Sequence, residues 1–219
     1  MPTDAAAPTP SNPRRASGSV LSGAGVLVAG RYVVAALATI STFIILRQLT
    51  QDQFGEYSVI FALLGIVGLI ADLRLSRIVL SEVIEADEAG AARVVGSYTG
   101  LRLVIGVVSY AVGMLCVGIG AATGDFSTDV VIGTALGGLT LIVLSVAFGL
   151  ILLFEARLWL RDIAISNVLG QVAGFALVLT VSFAGIGSLL WYVGANVVNG
   201  IVVLAWLVLI LRKGAGIRI

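Results

Sequence analysis

Histidine is absent from the 219-residue sequence, so the commonest general base and the commonest metal ligand are missing together. One cysteine, Cys116, sits inside an apolar run, and a single thiol excludes an intrachain disulfide. Proline is confined to Pro2, Pro8, Pro10 and Pro13. Charge is scarce as well: 11% of the residues are charged, against about 25% in soluble domains. No G-x-S-x-G, phosphate loop, Cys/His cluster or pair of carboxylates within a single apolar segment occurs. The chain therefore reads as a non-enzyme without a cofactor, and no nucleic-acid partner is expected.

What remains is apolar. Hydrophobic residues make up 59% of the chain and lie in long uninterrupted blocks, with neither strand-like alternation nor narrow helical stripes. A helix that is apolar on every side must be buried in protein or in lipid, and a chain this short cannot enclose six of them. The fold class that follows is an all-α polytopic membrane protein. A bilayer core of about 30 Å takes about 20 helical residues, and six segments qualify: 20–46, 57–80, 101–122, 130–154, 163–183 and 188–211. Residues 1–19, rich in Pro, Ala, Ser and Thr, read as a disordered tail. They are no signal peptide, because the apolar run that follows outlasts a signal's core of about 7–15 residues. Residues 212–219 read as a short basic tail. Residues 81–100, acidic at their start, read as either a short interfacial helix or a solvated linker. The turn "AGIG" (Ala184 to Gly187) is tight enough to force the last two spans into an antiparallel pair.

Basic residues set the orientation. With the N-terminus inside, the cytoplasmic side carries Arg14, Arg15, Arg74, Arg77, Arg93, Arg102, Arg157, Arg161, Arg212, Lys213 and Arg218. The outer loops carry Arg47 beside Asp52, Glu56, Asp125 and Asp129. Both termini are thus expected in the cytoplasm. The only lysine is Lys213, and Ala, Gly and Val abound. That bias suits a GC-rich genome and hence a bacterial cytoplasmic (inner) membrane.

The remaining cation is Arg31, which belongs to neither side. The first segment is long enough for about 40 Å of helix. A bilayer centred on it puts Arg31 near the midplane. Sliding the helix so that Arg31 snorkels to the headgroups leaves about 22 Å of apolar helix before Arg47, which is short. An intermediate placement puts it part-way in. An arginine in the apolar core costs about 2.5–3.5 kcal/mol by insertion scales, so it faces a wet cavity or a partner. A cationic cavity favours an anionic cargo.

Two further groups stand out. Asp72, Arg74 and Arg77 in "ADLRLSR" read either as a cytoplasmic gate or as a mixed-charge helix end at the interface. Asn167 and Gln171 are four apart on one helix, and Asn196 and Asn199 are three apart on the next, so each pair shares a face. They read either as interhelical hydrogen bonds or as a hydrophilic path suited to sugars. The glycine pairs Gly113/Gly118, Gly133/Gly137 and Gly170/Gly174 suit close helix approach. Trp159, Trp191 and Trp206 lie near segment ends, as interfacial tryptophans do.

The stretch "ILRQLTQDQFGEYSVIFALLGIVGLIADLRLS" (Ile45 to Ser76) resembles the N-terminal region of the oligosaccharide flippase, or polysaccharide biosynthesis, family. That family lies within the multidrug/oligosaccharidyl-lipid/polysaccharide exporter superfamily. The resemblance rests on Arg47 and Leu49, Phe54-Gly55 with Tyr57-Ser58, Ala71-Asp72-Leu73 and Leu75-Ser76. "FEARLWLRDIAI" (Phe154 to Ile165) and "LRKG" (Leu211 to Gly214) are family-like too. The family usually has glycine where this chain has Arg74. The resemblance implies one lobe of a two-lobe fold that flips undecaprenyl-pyrophosphate-linked sugars by alternating access. Arg31 would then line the cavity, and a second six-helix lobe would come from a missing C-terminal half, a separate chain or a second copy. Two other readings stay open. One is a non-transporting membrane scaffold subunit of a polysaccharide synthesis complex. The other is a cation-coupled drug exporter, which needs a deep acidic residue where only Asp72, beside two arginines, is near.

Overall fold

The computed structural model describes residues 13–71, 79, 88–157 and 159–214. They form α1 (Pro13–Gln48), α2 (Gln51–Ala71), α3 (Glu88–Thr123), α4 (Thr128–Ala156), α5 (Leu160–Phe183) and α6 (Leu189–Gly214), with no strand among the described residues. Each helix contains an apolar stretch long enough to cross a membrane, from 19 residues in α2 to 31 in α3. In lipid a helix satisfies its own backbone hydrogen bonds, which is why apolar blocks of this length take that form. The chain is an all-α, multi-pass membrane protein.

Two boundaries differ from the reading of the sequence. Helix α1 opens at Pro13, inside the stretch read as tail. A proline at the first helical position lacks only an N–H that the helix end leaves unpaired in any case. Helix α3 opens at Glu88, so residues 88–100 are the opening turns of a 36-residue helix, not a separate interfacial one. No proline interrupts that run. The gate candidates Asp72, Arg74 and Arg77 lie outside the described residues, as do residues 1–12 and 215–219.

The connections at one end of the bundle are short and chemically specified. Between α1 and α2, the Thr50 N–H donates to Gln53 Oε1 at 3.1 Å and the Gln53 N–H donates to Thr50 Oγ1 at 3.3 Å. This reciprocal capping box starts α2. Ser127 caps α4 by accepting from the Val130 N–H at 3.3 Å. Gly185, at φ +67, supplies the left-handed residue that the turn from α5 to α6 requires.

The spatial order departs from the chain order. Helix α1 lies along α5, α5 against α6, α6 against α4, and α4 against α3, while α2 packs across α4 and α3. Helices α1 and α2 scarcely touch beyond their shared turn. Helices α1 and α5 run parallel in a fixed register. Gln48 Nε2 donates to Ser182 Oγ at 2.8 Å, and Gln53 Nε2 donates to the Gly187 carbonyl at 3.2 Å, each joining residues 134 apart. Gly30 lies against Ala164 with the same separation. At the turn end an apolar cluster of Ile45, Leu49, Ile60, Val178, Val181, Leu189 and Tyr192 closes the bundle. At the opposite end Ala147, Phe154, Ile163, Val203 and Leu207 form a second cluster.

Helices in lipid have little hydrophobic drive to associate, so close packing decides which faces meet. A Cβ on Gly170 would lie 2.5 Å from Val203 Cγ2 and 2.9 Å from the Asn199 carbonyl oxygen. One on Gly174 would lie 3.0 Å from the Ala195 carbonyl oxygen. These two residues let α5 and α6 approach to backbone contact. Gly133 and Gly137 receive Ile60 and Leu64 of α2 in the same manner. Gly118 differs, with nothing in the way of a Cβ. Gly170→Leu is therefore expected to destabilise the bundle by about 1–3 kcal/mol or more, lowering its melting temperature in detergent. Gly118→Leu, facing the lipid, is expected to melt like the parent.

Candidate functional site: a polar groove between α1, α5 and α6

Arg31, Asn167, Gln171 and Asn199 line a cavity of about 240 Å³, walled otherwise by Leu27, Gly30, Val34, Ala35 and Ala164. A second cavity of about 130 Å³ shares Gln171 and Asn199 with the first and adds Ser41, Thr42, Tyr57, Tyr192 and Asn196. The two adjoin at that shared amide pair. All five residues picked from the sequence as cavity candidates thus border one groove. Helix α1 contributes Arg31, α5 contributes Asn167 and Gln171, and α6 contributes Asn196 and Asn199.

The parallel register of α1 and α5 fixes the level of each residue. Arg31 pairs in height with residue 165, about 10 Å from the middle of α5. Gln171 and Asn199 lie at the middle itself. Asn199 Nδ2 donates to Gln171 Oε1 at 3.0 Å, tying α5 to α6 across the contact made at Gly170. Asn196 is one turn nearer the turn end. It shares the second cavity with Tyr57, and its amide Nδ2 donates to the Tyr192 carbonyl at 3.5 Å. From Ala164 to Val178 the groove extends for about 21 Å of helix, most of a bilayer core.

The chemistry changes along that length. The Arg31 end presents a planar guanidinium with five N–H donors. The middle and the turn end present only neutral groups. Ser41 Oγ and Thr42 Oγ1 donate to the Leu37 and Ala38 carbonyls at 2.8 and 3.0 Å, which leaves their oxygens as acceptors. Past Tyr192 the apolar cluster at the turn end seals the groove. Such a path can take a negatively charged group at one end and hydrogen-bond an uncharged polar one along the rest.

Ser41, Thr42, Tyr57 and Tyr192 were not legible as site residues. Each is an ordinary helix residue in sequence, and only the 134-residue register of α1 on α5 brings the α1 hydroxyls to the amides. Arg102 is a further case. Counted from the sequence among cytoplasmic charges, it is buried at 8% exposure between α3 and α4. Its Nε donates to the Tyr98 hydroxyl at 2.9 Å, and its guanidinium lies over the Tyr98 and Phe148 rings at 5.5 and 5.2 Å. The aromatic pair compensates a cation inside the helix contact.

In a background carrying Cys116→Ser, cysteines at Thr42 and Asn167 are expected to react with a membrane-impermeant thiol reagent at least about ten times faster than cysteines at Val172 and Ile201. The latter two are exposed on the bundle's outer surface, where lipid excludes both the reagent and the thiolate it needs. Equal rates at all four would show the groove to be dry. Comparison of the chain with family models, with curated proteins and with solved structures finds no match.

Proposed function

We propose that the chain is one six-helix lobe of a transporter that flips lipid-linked oligosaccharide across a bacterial cytoplasmic membrane, with both termini in the cytoplasm. The observation that carries this reading is the groove's polarity, a single guanidinium at one end of a neutral file of amides and hydroxyls. A cation inside the membrane attracts a pyrophosphate, and buried amides replace the water lost from sugar hydroxyls. The resemblance of residues 45–76 to the oligosaccharide flippase family supports the same conclusion. The groove is walled by α1, α5 and α6 with Tyr57 of α2, and α1 and α2 do not close over it. A second six-helix lobe, whether a C-terminal continuation, a separate chain or another copy, supplies the missing wall. Undecaprenyl-pyrophosphate-linked sugars are the proposed cargo.

The test is export in a flippase-deficient bacterium expressing the chain with a second lobe. Loss of a charge-assisted hydrogen bond worth about 1.5–3 kcal/mol corresponds to about a 10- to 100-fold drop in export for Arg31→Gln at equal membrane abundance. Arg31→Lys retains part of it. Unchanged export in Arg31→Gln would make Arg31 a membrane anchor. No rescue by the parent chain in any pairing would favour the scaffold role.

A further inference from the structure

We infer that the bundle end opposite the turns carries a binding surface for the phosphodiester headgroup of an anionic glycerophospholipid, built from Arg157, Trp159, Arg161, Arg212 and Lys213. None of the five lines the groove, so the inference does not depend on what the groove carries.

Three helix ends meet here: α4 ends at Ala156, α5 begins at Leu160 and α6 ends at Gly214. Trp159 and Leu160 on one side, and Ile210 and Leu211 on the other, pack against a single cluster that includes Phe154, Ile163 and Leu207. Trp159 meets the Phe154 ring edge-on at 5.4 Å, and the Arg157 guanidinium lies over the Trp159 ring at 5.6 Å. Arg161 follows Leu160 directly, and Arg212 and Lys213 follow Leu211. The cluster thus brings cations from both sides to one level.

Four cations stand at this end against two carboxylates, Glu155 and Asp162, which leaves positive charge in excess. All four are exposed. The side chains of Arg161, Arg212 and Lys213 have no hydrogen-bond or ion-pair partner among the described residues. Basic residues in the last turn of α6 complement the negative helix end, but that leaves their N–H donors unspent. A phosphodiester supplies the acceptors.

The apolar surroundings say that the phosphate arrives on a lipid. Ile201, Ala205 and Leu209 are exposed at four-residue spacing, so α6 presents one apolar strip that stops one turn short of Arg212. An acyl chain lying on that strip carries its headgroup to the cations, with Trp159 at the boundary where tryptophans settle. A zwitterionic headgroup brings a cation of its own, which the excess charge repels. An acidic protein segment matches the charge but not the strip.

The test reads Trp159 directly. In a chain carrying Trp191→Phe and Trp206→Phe it is the only tryptophan. The chain is placed in bilayers of phosphatidylglycerol and phosphatidylcholine, with bromine on the acyl chains of one lipid or the other. Brominated phosphatidylglycerol is expected to quench as though enriched about 5-fold over its bulk share. Arg212→Gln with Lys213→Gln is expected to abolish the enrichment. Arg93→Gln is expected to keep it, because that cation's neighbours Val94 and Val95 pack at this end into a separate cluster with Leu152. Quenching at the bulk share in the parent would overturn the proposal, as would an equal loss in Arg93→Gln, which would mean a diffuse field and no site. A second measurement uses the unaltered chain in detergent. Phosphatidylglycerol is expected to raise its melting temperature by about 2–4 °C, and phosphatidylcholine or inorganic phosphate to leave it unchanged. No rise with phosphatidylglycerol, or the same rise with either of the others, would overturn the assignment to an anionic lipid.

Discussion

The groove depends on the approach of α5 to α6 at Gly170 and Gly174. Were those residues any larger, the Asn199 and Ala195 carbonyls would stand in the way. The Gln171–Asn199 hydrogen bond between the two helices would then open. Everything else at the site is hung on this pair. Helix α1 rests on α5, so the level of Arg31, Ser41 and Thr42 is set by α5. Asn196 and Tyr192 are set by α6, and α4 packs on the far side of α6 with α2 and α3 beyond it.

How much of this could be read from the chain follows from what lipid does to the usual signals. Span existence and number were plain, because a bilayer demands long apolar runs and α4 and α6 consist of little else. The five groove residues were also accessible. An amide or an arginine is so out of place in such a run that its presence is a signal, and spacings of three and four put Asn167 with Gln171 and Asn196 with Asn199 on common faces. Which helices meet was not accessible. A helix that is apolar all round presents no preferred face to its neighbours, so nothing local told α1 to lie along α5 in place of α2. The neighbours of Arg31 followed the same course: only the register of α1 on α5, seen at Gln48–Ser182 and Gly30–Ala164, puts it beside Asn167. The burial of Arg102 was not legible either. Counting charges near a helix end cannot distinguish one in the headgroups from one held between Tyr98 and Phe148.

The groove is also asymmetric in its surroundings. At the turn end, hydrogen bonds from Gln48 and Gln53 reach the α5–α6 connection, and the apolar cluster lies directly beneath them. That end is fastened across all three helices. At the other end α1 is bordered by Ala164 and by the cluster around Phe154.

The register between α1 and α5 bears on how the protein is made. The 134 residues that separate Gln48 from Ser182 must all be synthesised before the contact can form. At about 5–20 residues per second, the ribosome takes on the order of ten seconds to do so. Throughout that interval α1 with its arginine has already been made, while Ala164, on which Gly30 packs, does not yet exist. The first helix therefore begins without the neighbour it keeps in the finished fold, and its final packing waits on the fifth.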